Sequence, residues 1–412
     1  VDFLTLEQDI AAALTRADKR LIDLIAISTP PAVLKDEVGS AKQYAEQLMR
    51  DGLRLTFEDQ EFIMKPFAIG RIITFVEQTA PSRPGNSILG VQFKSEELTK
   101  YLETTIAPEI NQEAINARFE IEIEEETPQQ RGAIQEPTSL TGTRVSQFAL
   151  PQQGQQLALD TSVERISATL AAQQSSAALQ VDVTEPEFAD VADIRTLGVT
   201  SRLAVGESNF AGSPRNRIHN IHVGANKYHG LLIAPGEEFS FNTFLGPVTA
   251  EAGFLPELVI KENVTVSEFG GGLCQVSTTA FRAAVHSGLE IIQRRNHSYA
   301  VSYYGTPGFD ATIYPPYTDF RFLNNTSGHI LIQTKVVGTN LFFEFWGADD
   351  GRVVEVDGPH PYNRQPDGAV KAVLTQKVIK DGNVMLEDTF YSNYKSPKLF
   401  PKVTAANGEP SE

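Results

Sequence analysis

The chain has 412 residues, which is enough for about two to four domains that each bury a core. Hydrophobic residues make up 41% and charged residues 21%, as is typical of a soluble globular protein. The net charge of −17 argues against a nucleic-acid-binding protein and against adhesion to anionic lipid. No apolar run reaches the roughly 18 residues of a transmembrane helix. Because no signal peptide is visible and the chain begins with Val1, we expect that an export signal or membrane anchor has been trimmed from it.

The N-terminal part contains two segments with the same order of elements. Residues 2–38 predict a capped amphipathic helix and then a strand at residues 22–27, followed by proline. Residues 157–194 predict a helix at 161–172 and a strand at 178–183, again followed by proline. An internal repeat explains this order economically, so we expect the two segments to superpose.

Between these copies, the pattern predicts one complete helix and strand module. Its elements are a helix at 40–50, a hairpin of 53–57 with 61–64, a helix at 95–105 and a strand at 117–123. Residues 124–145 contain two prolines and two glycines and predict a loop. The acidic run from Glu120 to Glu126 lacks the turn glycine and the Asp/Asn pattern of an EF-hand, which favours a solvated strand face over a calcium site.

From residue 197, the pattern predicts an α+β domain in which a central helix packs on an antiparallel sheet. An earlier helix, Arg215–His229, carries Ile218, Ile221 and His222 on its apolar face, and we interpret His222 as a core histidine. The predicted strands are 290–293, 299–304, 311–314 and 319–323, with a final hairpin of 329–337 and 341–346.

The C-terminal residues predict a small β extension. Residues 372–379 and 384–390 flank an Asp381-Gly382 pair, which is a hairpin signal. Residues from 405 on are polar and are expected to lack order.

The only cysteine of the chain, Cys274, follows a run of three glycines, Gly270, Gly271 and Gly272. The next residues predict the central helix, ending near Gly288, so Cys274 would lie at a helix N-terminus. Free amides and the helix dipole at that position lower the pKa of a thiol and can hold an oxyanion. The amides of Cys274 and Gln275, or the Gln275 side chain, are the candidate oxyanion donors. The alternative is that Cys274 is a small buried hydrophobe.

His297 and Asp310 supply the base and the orienting acid that a thiol nucleophile needs. We expect Cys274 Sγ to face an open cleft, and His297 to lie on a neighbouring strand with its ring within about 4 Å of that sulfur. Asp310 should bond the other ring nitrogen at about 2.6–3.2 Å. The alternative is that each residue has a separate structural role.

Two further kinds of side chain are candidates for ligand binding. Arg217 has the planar fork that holds a carboxylate, although a surface or capping role explains it equally well. Tyr303, with Tyr304, Tyr314 and Tyr317, could stack on sugar rings, but packing against the sheet is the favoured interpretation.

Motifs spread over about residues 197–349 resemble the VanW family, which is named after an accessory protein of vancomycin-resistance gene clusters. These motifs are Pro235-Gly236-Glu237-Glu238-Phe239-Ser240-Phe241-Asn242, Leu245-Gly246, the run from Gly270 to Thr279, Arg295-Asn296-His297-Ser298, Val301-Ser302-Tyr303, Gly308-Phe309-Asp310-Ala311-Thr312 and Phe322-Leu323-Asn324-Asn325. The resemblance implies a protein of the bacterial cell envelope and marks Cys274, Gln275, His297 and Asp310 as motif positions. It names no reaction. The N-terminal pattern resembles the peptidoglycan-binding modules that often precede VanW domains.

Four parts are therefore expected. They are a partial peptidoglycan-binding-like module (1–40), a complete one (41–196), a VanW-like domain (197–349) and a C-terminal extension (350–412). The expected partner is peptidoglycan or its stem peptides, bound mainly by residues 1–196. No metal or other cofactor is expected, because no Cys/His cluster occurs. Nothing in the sequence predicts an oligomeric state.

Two functions remain open. In the first, an envelope enzyme uses Cys274 to attack an amide or ester of peptidoglycan, by hydrolysis or by transpeptidation. In the second, a non-catalytic module uses the glycine loop and the helix N-terminus to capture an anionic group such as a stem-peptide carboxylate.

Overall fold

The computed structural model describes residues 3–15, 33, 38–79, 87–122, 138–141, 143–188, 191, 193–261 and 264–400. The strand predicted at 22–27, most of the loop at 124–145 and the tail from 405 lie outside these residues. The superposition of 2–38 on 157–194 therefore stays a prediction.

The described residues contain both helices and strands. The helices are α1 Phe3–Thr15, α2 Gly39–Asp51, α3 Pro66–Ile72, α4 Ser95–Tyr101, α5 Ala107–Ile110, α6 Leu159–Ala171, α7 Arg215–Tyr228, α8 Phe241–Leu245 and α9 Leu273–His286. The strands are β1 Leu53–Phe57, β2 Gln60–Met64, β3 Ile73–Thr79, β4 Ser87–Phe93, β5 Arg118–Glu122, β6 Thr138–Ser139, β7 Arg144–Ala149, β8 Gly154–Leu157, β9 Ser176–Ala178, β10 Val181–Thr184, β11 Ser201–Asn209, β12 Leu231–Ile233, β13 Glu238–Ser240, β14 Pro256–Lys261, β15 Val264–Phe269, β16 Glu290–Gln293, β17 Arg321–Leu323, β18 Ile330–Val337, β19 Asn340–Gly347, β20 Val353–Tyr362, β21 Val370–Lys380 and β22 Asn383–Tyr394.

The chain forms two compact units. Residues 1–115 with 153–185 make the first unit, and residues 116–152 with 186–412 make the second. Both contain helices and mainly antiparallel strands, so the α+β class predicted from the sequence is confirmed. The division into functional modules at residues 40, 196 and 349 stays a prediction.

In the first unit, a sheet of order β2-β1-β9 contributes to a core with α2 and α6. Helix α2 buries Ala41, Tyr44 and Leu48, which recur at helical spacing on one face. The strand predicted at 178–183 is divided between β9, which pairs with β1, and β10, which pairs with β8. The change of partner separates the two short strands.

The second unit is built around α9, which packs on a sheet of order β12-β18-β19-β11-β6. Small residues on α9, Ala280, Ala283 and Ala284, are fully buried in this interface. Gly206 on β11 allows the close approach, because a Cβ there would lie 2.1 Å from the carbonyl oxygen of Thr279 on α9. The middle of the central helix is thus packed directly against β11 of the sheet.

The C-terminal strands form an antiparallel sheet of order β20-β21-β22. Asp381 and Gly382 have φ of 51° and 76°, so the predicted hairpin is confirmed with both turn residues in the left-handed region. Strand β20 was not predicted. Leu374 on β21 belongs to the same hydrophobic core as α9, so this sheet packs near the central helix.

Two predicted strands, 299–304 and 311–314, are wrong. Residues 302–304 form a 3-10 turn, and 311–314 are irregular apart from one isolated bridge at Tyr314. Side chains of α9 take the place of a strand ladder there: Ser277 and Thr278 donate to the Ala311 carbonyl at 2.6 and 3.2 Å. Hydrogen bonds from α9 side chains therefore hold residue 311 in place without strand pairing.

The interpretation of His222 as a core histidine is also wrong, because this side chain is exposed. The buried face of α7 instead comprises Arg217, Asn220, Ile221, Gly224, Ala225 and Tyr228. That face includes polar residues that a search for apolar periodicity misses.

Candidate active site

Cys274 is the second residue of α9, as predicted. Gly272 precedes the helix with a φ of +114°, and the flanking amides of Leu273 and Gln275 donate to the Gly270 and Gly272 carbonyls at 3.0 and 2.9 Å. Among the backbone hydrogen bonds of the described residues, none uses the amide of Cys274. A free N–H therefore lies beside the thiol at the positive end of the helix.

The three glycines before α9 are packed closely against neighbouring elements. A Cβ on Gly272 would lie 3.1 Å from the Arg217 carbonyl on α7, and one on Gly271 would lie 2.7 Å from Glu257 Cβ on β14. The Gly270 amide donates to the Leu255 carbonyl at 3.3 Å. Close packing explains why these positions are glycine; the binding role predicted for them stays a prediction.

The Cys274 sulfur has three polar neighbours. Sγ lies 3.3 Å from Thr312 Oγ1 and 3.7 Å from the Ile313 carbonyl oxygen, and the His297 ring is close enough to lower the pKa of the thiol. The residue as a whole is partly exposed. This environment differs from the sealed apolar packing that the structural alternative requires.

His297 and Asp310 are both buried and are directly bonded. His297 Nδ1 lies 2.5 Å from Asp310 Oδ2, and the His297 backbone amide donates to the same oxygen at 2.9 Å. His297 lies in an irregular segment after β16, so its predicted position on a strand is wrong. The bond from Nδ1 to Asp310 fixes the ring and leaves its other nitrogen, Nε2, as the one that can interact with Cys274.

Asp310 is held by two residues that the sequence did not single out. Arg294 Nη2 donates to Asp310 Oδ1 at 3.3 Å, and the hydroxyl of Tyr394 on β22 donates to the same oxygen. Arg294 is itself held by Ser392 Oγ at 2.9 Å. Arg294 directly precedes the motif Arg295-Asn296-His297-Ser298 and could have been noticed there. Nothing in the sequence relates Tyr394 to a site 84 residues earlier.

The electrostatics of the cluster favour an ion pair. Burial alone would raise the pKa of the Cys274 thiol, but the hydrogen bond and positive charge of His297 lower that pKa below its ordinary value. Burial also opposes the His297 charge, but Asp310 and Cys274 raise the pKa of His297 to about 9. Although burial would raise it, the pKa of Asp310 is held well below its ordinary value by His297 and Arg294. The cluster therefore favours a thiolate paired with an imidazolium over a neutral thiol and imidazole.

Arg217, Gln275 and Tyr303 form a second layer beside the thiol. Arg217 Nη2 donates to Gln275 Oε1 at 2.8 Å, and its guanidinium lies 4.0 Å from the centre of the Tyr303 ring. Gln275 is fully buried, its side-chain Nε2 donates to the Asn209 carbonyl, and its backbone amide is bonded to Gly272. Gln275 is thus buried with its backbone amide bonded within the loop, and its predicted role as an oxyanion donor stays a prediction.

The remaining tyrosines divide between packing and exposure. Tyr304 is buried against His297, whereas Tyr317 is 81% exposed and stacks loosely on Tyr314 with centroids 6.4 Å apart. The favoured packing role therefore fits Tyr304 and does not fit Tyr317.

The family described as "VanW like protein" matches residues 216–346. The chain contains a domain of the VanW family. This match includes Arg217, Cys274, His297 and Asp310, whereas Tyr394 lies beyond its end.

Two curated relatives match part of the chain. The chain is 33% identical over 172 residues to the uncharacterized protein YoaR of Bacillus subtilis (strain 168), a match that covers 41% of this chain and 56% of YoaR. It is 32% identical over 117 residues to the vancomycin B-type resistance protein VanW of Enterococcus faecalis (strain ATCC 700802 / V583), covering 27% of this chain and 42% of that protein. The matches thus span about half the length of these relatives. No solved structure matches the chain.

Among the described residues, no helix is both long and apolar enough to cross a membrane.

Proposed function

We propose that the VanW-like domain is a cysteine-dependent acyl-transfer enzyme that acts on peptide bonds of peptidoglycan. The observation that carries this proposal is the buried Asp310–His297 pair aimed at a partly exposed cysteine on a helix N-terminus. Membership of the VanW family supports a role at the cell wall that is related to vancomycin resistance.

The first half of the reaction follows from the ion pair. The Cys274 thiolate attacks the carbonyl carbon of the substrate, a C–S bond forms, and the carbonyl electrons move to oxygen. The free Cys274 amide lies where it can donate to that oxygen. When the tetrahedral intermediate collapses, the C–N bond breaks and the His297 imidazolium gives its proton to the leaving amine.

The second half regenerates the thiolate. Neutral His297 takes a proton from water or from an acceptor amine, which attacks the thioester and expels Cys274. Water gives hydrolysis, and an amine of a second stem peptide gives transpeptidation. Asp310 keeps the ring in the tautomer that each step requires, and it is itself held by Arg294 and Tyr394.

The test is the incubation of purified peptidoglycan with the whole chain, followed by mass spectrometry of the released and cross-linked muropeptides. We expect new fragments or new cross-links with the natural chain and none with Cys274→Ala. Arg364→Ala, at an exposed position of the C-terminal sheet region, is the control that should keep activity. Identical products from the natural chain and Cys274→Ala would overturn the proposal.

A second function, wall binding by the first unit, is favoured by one observation. This unit has an open pocket of about 460 Å³ whose lining is rich in side-chain amides, including Gln112, Gln155 and Gln156. Amide groups both donate and accept hydrogen bonds, which suits the hydroxyl and acetamido groups of wall polysaccharide.

Sedimentation with purified peptidoglycan tests this function in the whole chain. The double variant Gln112→Ala with Gln156→Ala should remain in the supernatant, and Cys274→Ala should still sediment. Equal sedimentation of the double variant and the natural chain would rule out this pocket as the wall-binding site.

A further inference from the structure

Thr312 is brought to the thiol by a short segment whose backbone is held by hydrogen bonds. The Thr312 amide donates to the Arg295 carbonyl at 2.8 Å. The amide of the preceding Ala311 donates to Thr278 Oγ1 on α9 at 3.1 Å, and that hydroxyl donates to the Ala311 carbonyl at 3.2 Å. The segment is thus tied both to α9 and to the residues just before His297. These backbone contacts fix the place from which the Thr312 side chain extends.

The Thr312 hydroxyl contacts the nucleophile directly. Its Oγ1 lies 3.3 Å from Cys274 Sγ, which is within hydrogen-bonding distance for sulfur. Among the hydrogen bonds of the described residues, no other bond uses this hydroxyl, whereas the nearby Ser277 hydroxyl donates to a backbone carbonyl. The proton of the Thr312 hydroxyl therefore has no competing acceptor in the described part of the chain.

The charge of the sulfur decides which of the two atoms donates. A neutral thiol has a proton to give to Thr312 Oγ1 or to the Ile313 carbonyl oxygen, which lies 3.7 Å away. A thiolate has no proton and only accepts, so the hydroxyl must then be the donor. A hydrogen bond donated to the charged sulfur stabilises the charged state more than the neutral one. In agreement, burial raises the pKa of Cys274, whereas His297 and then Thr312 lower it.

The same segment also contacts the base. Asp310, two residues before Thr312, lies 2.5 Å from His297 Nδ1. One short stretch of chain thus reaches both members of the ion pair, the imidazolium through a carboxylate and the thiolate through a hydroxyl. The stretch therefore links the position of the base to that of the nucleophile.

We propose that Thr312 is a catalytic residue whose hydroxyl donates a hydrogen bond to the Cys274 thiolate and stabilises it before it attacks the substrate. The inference deepens the proposed acyl-transfer function, and its meaning for catalysis rests on that function. Thr312 keeps its proton throughout. When the C–S bond forms, the negative charge moves from the sulfur to the carbonyl oxygen, and the hydrogen bond to the sulfur weakens. The hydroxyl thereby raises the fraction of Cys274 that is ionised and ready to attack.

Two substitutions separate the hydroxyl from the shape of the side chain. Thr312→Val keeps the branched shape and removes the hydroxyl, whereas Thr312→Ser keeps the hydroxyl. The measurement is the rate at which iodoacetamide labels Cys274, the only cysteine of the whole chain, as a function of pH. We expect the apparent midpoint of this profile to rise by about one pH unit in Thr312→Val, because a hydrogen bond to a charged group is lost, and to stay near its natural value in Thr312→Ser. Below the natural midpoint, labelling of Thr312→Val should be about 3- to 10-fold slower, because the more basic thiolate is also the better nucleophile.

Thr389→Val is the matched control, because Thr389 is an exposed threonine on β22 and its replacement should leave the midpoint unchanged. All of these variants keep the charged and titratable groups near the thiol, which are Arg217, Arg282, Arg294, His297, Tyr304 and Asp310. A shift of the midpoint therefore reports the Thr312 hydroxyl. If circular dichroism shows that valine disturbs folding, Thr312→Ala removes the same hydroxyl without a branched side chain and should give the same rise.

A natural midpoint in a folded Thr312→Val or Thr312→Ala variant would overturn this role, and so would an equal rise in Thr312→Ser. These results would leave the proposed function standing, because they do not concern the muropeptide products. Identical muropeptide products from the natural chain and Cys274→Ala would instead overturn the proposed function. A raised midpoint in Thr312→Val would in that case still show that the hydroxyl stabilises the thiolate.

Discussion

Replacing Asp310 by asparagine removes the charge that sustains the ion pair at the candidate active site. Asp310 bonds His297 through both the ring and the backbone amide, at 2.5 and 2.9 Å. The asparagine side chain would keep a similar shape but carry no charge. Burial of His297 would then act against its protonation, with Cys274 as the remaining group that favours the charged ring.

The magnitude follows from the pKa values. The difference between the ordinary pKa of 6.5 and about 9 for His297 corresponds to about 3 kcal/mol in favour of the imidazolium. Without the imidazolium, the thiol returns at least to its ordinary pKa of about 8.5, at which only about 1% is ionised at pH 6.5. We therefore expect Asp310→Asn to slow alkylation of Cys274 at pH 6.5 by up to about 100-fold, and less if the more basic thiolate is a better nucleophile.

The assay is the pseudo-first-order rate of iodoacetamide labelling, followed by mass spectrometry, with circular dichroism to establish that each variant is folded. Asp357→Asn is the matched control, because Asp357 forms a comparable pair with His360, at 2.7 Å, but at exposed positions. A folded Asp310→Asn variant that labels at the natural rate at pH 6.5 would refute the reasoning that Asp310 sustains the thiolate.

Three further predictions concern the same unit. Tyr394→Phe should lower the free energy of unfolding by about 1.5–3 kcal/mol, because a hydrogen bond to a charged carboxylate is lost, and it should slow labelling of Cys274. Chemical denaturation measures the change, with Tyr391→Phe as the control. An unchanged unfolding midpoint for Tyr394→Phe would count against this prediction. The raised pKa of His297 stabilises the fold fully below pH 6.5, and this contribution is lost as pH rises through about 9. Thermal stability should therefore fall between about pH 6.5 and 9, and peptidoglycan turnover should fall as the pH passes about 9. A natural chain that is as stable and active at pH 10 as at pH 7 would contradict this prediction. Gly206→Ala should destabilise the second unit by about 1–3 kcal/mol, because the added Cβ would lie 2.1 Å from the Thr279 carbonyl oxygen. Gly39→Ala is the control, because a Cβ there has no atom within 4 Å and should not destabilise the protein. Equal unfolding curves for the two variants would refute the close approach of α9 to β11.

The sequence by itself determined the elements with strong local signals. Helices α2, α7 and α9 and the two hairpins at β18–β19 and β21–β22 lie within a few residues of their predicted bounds. Periodic apolar residues and turn residues such as Asp381-Gly382 act over a few positions, so the pattern alone reveals them. The same applies to Cys274, whose place on a helix N-terminus follows from the glycines before it and the apolar face after it.

Only the tertiary structure decided how the site is assembled. Residues 299–314 pass beside α9 as irregular chain, because side chains of α9 satisfy their carbonyl groups in place of a strand partner. Tyr394 reaches Asp310 from a sheet whose position depends on packing against the core around α9. Gln275 lies at the expected motif position, and its side chain accepts a hydrogen bond from the buried Arg217 on α7. Such contacts join residues far apart in the chain, and no local pattern encodes the distance between them, because that distance is set by how the helices and sheets pack.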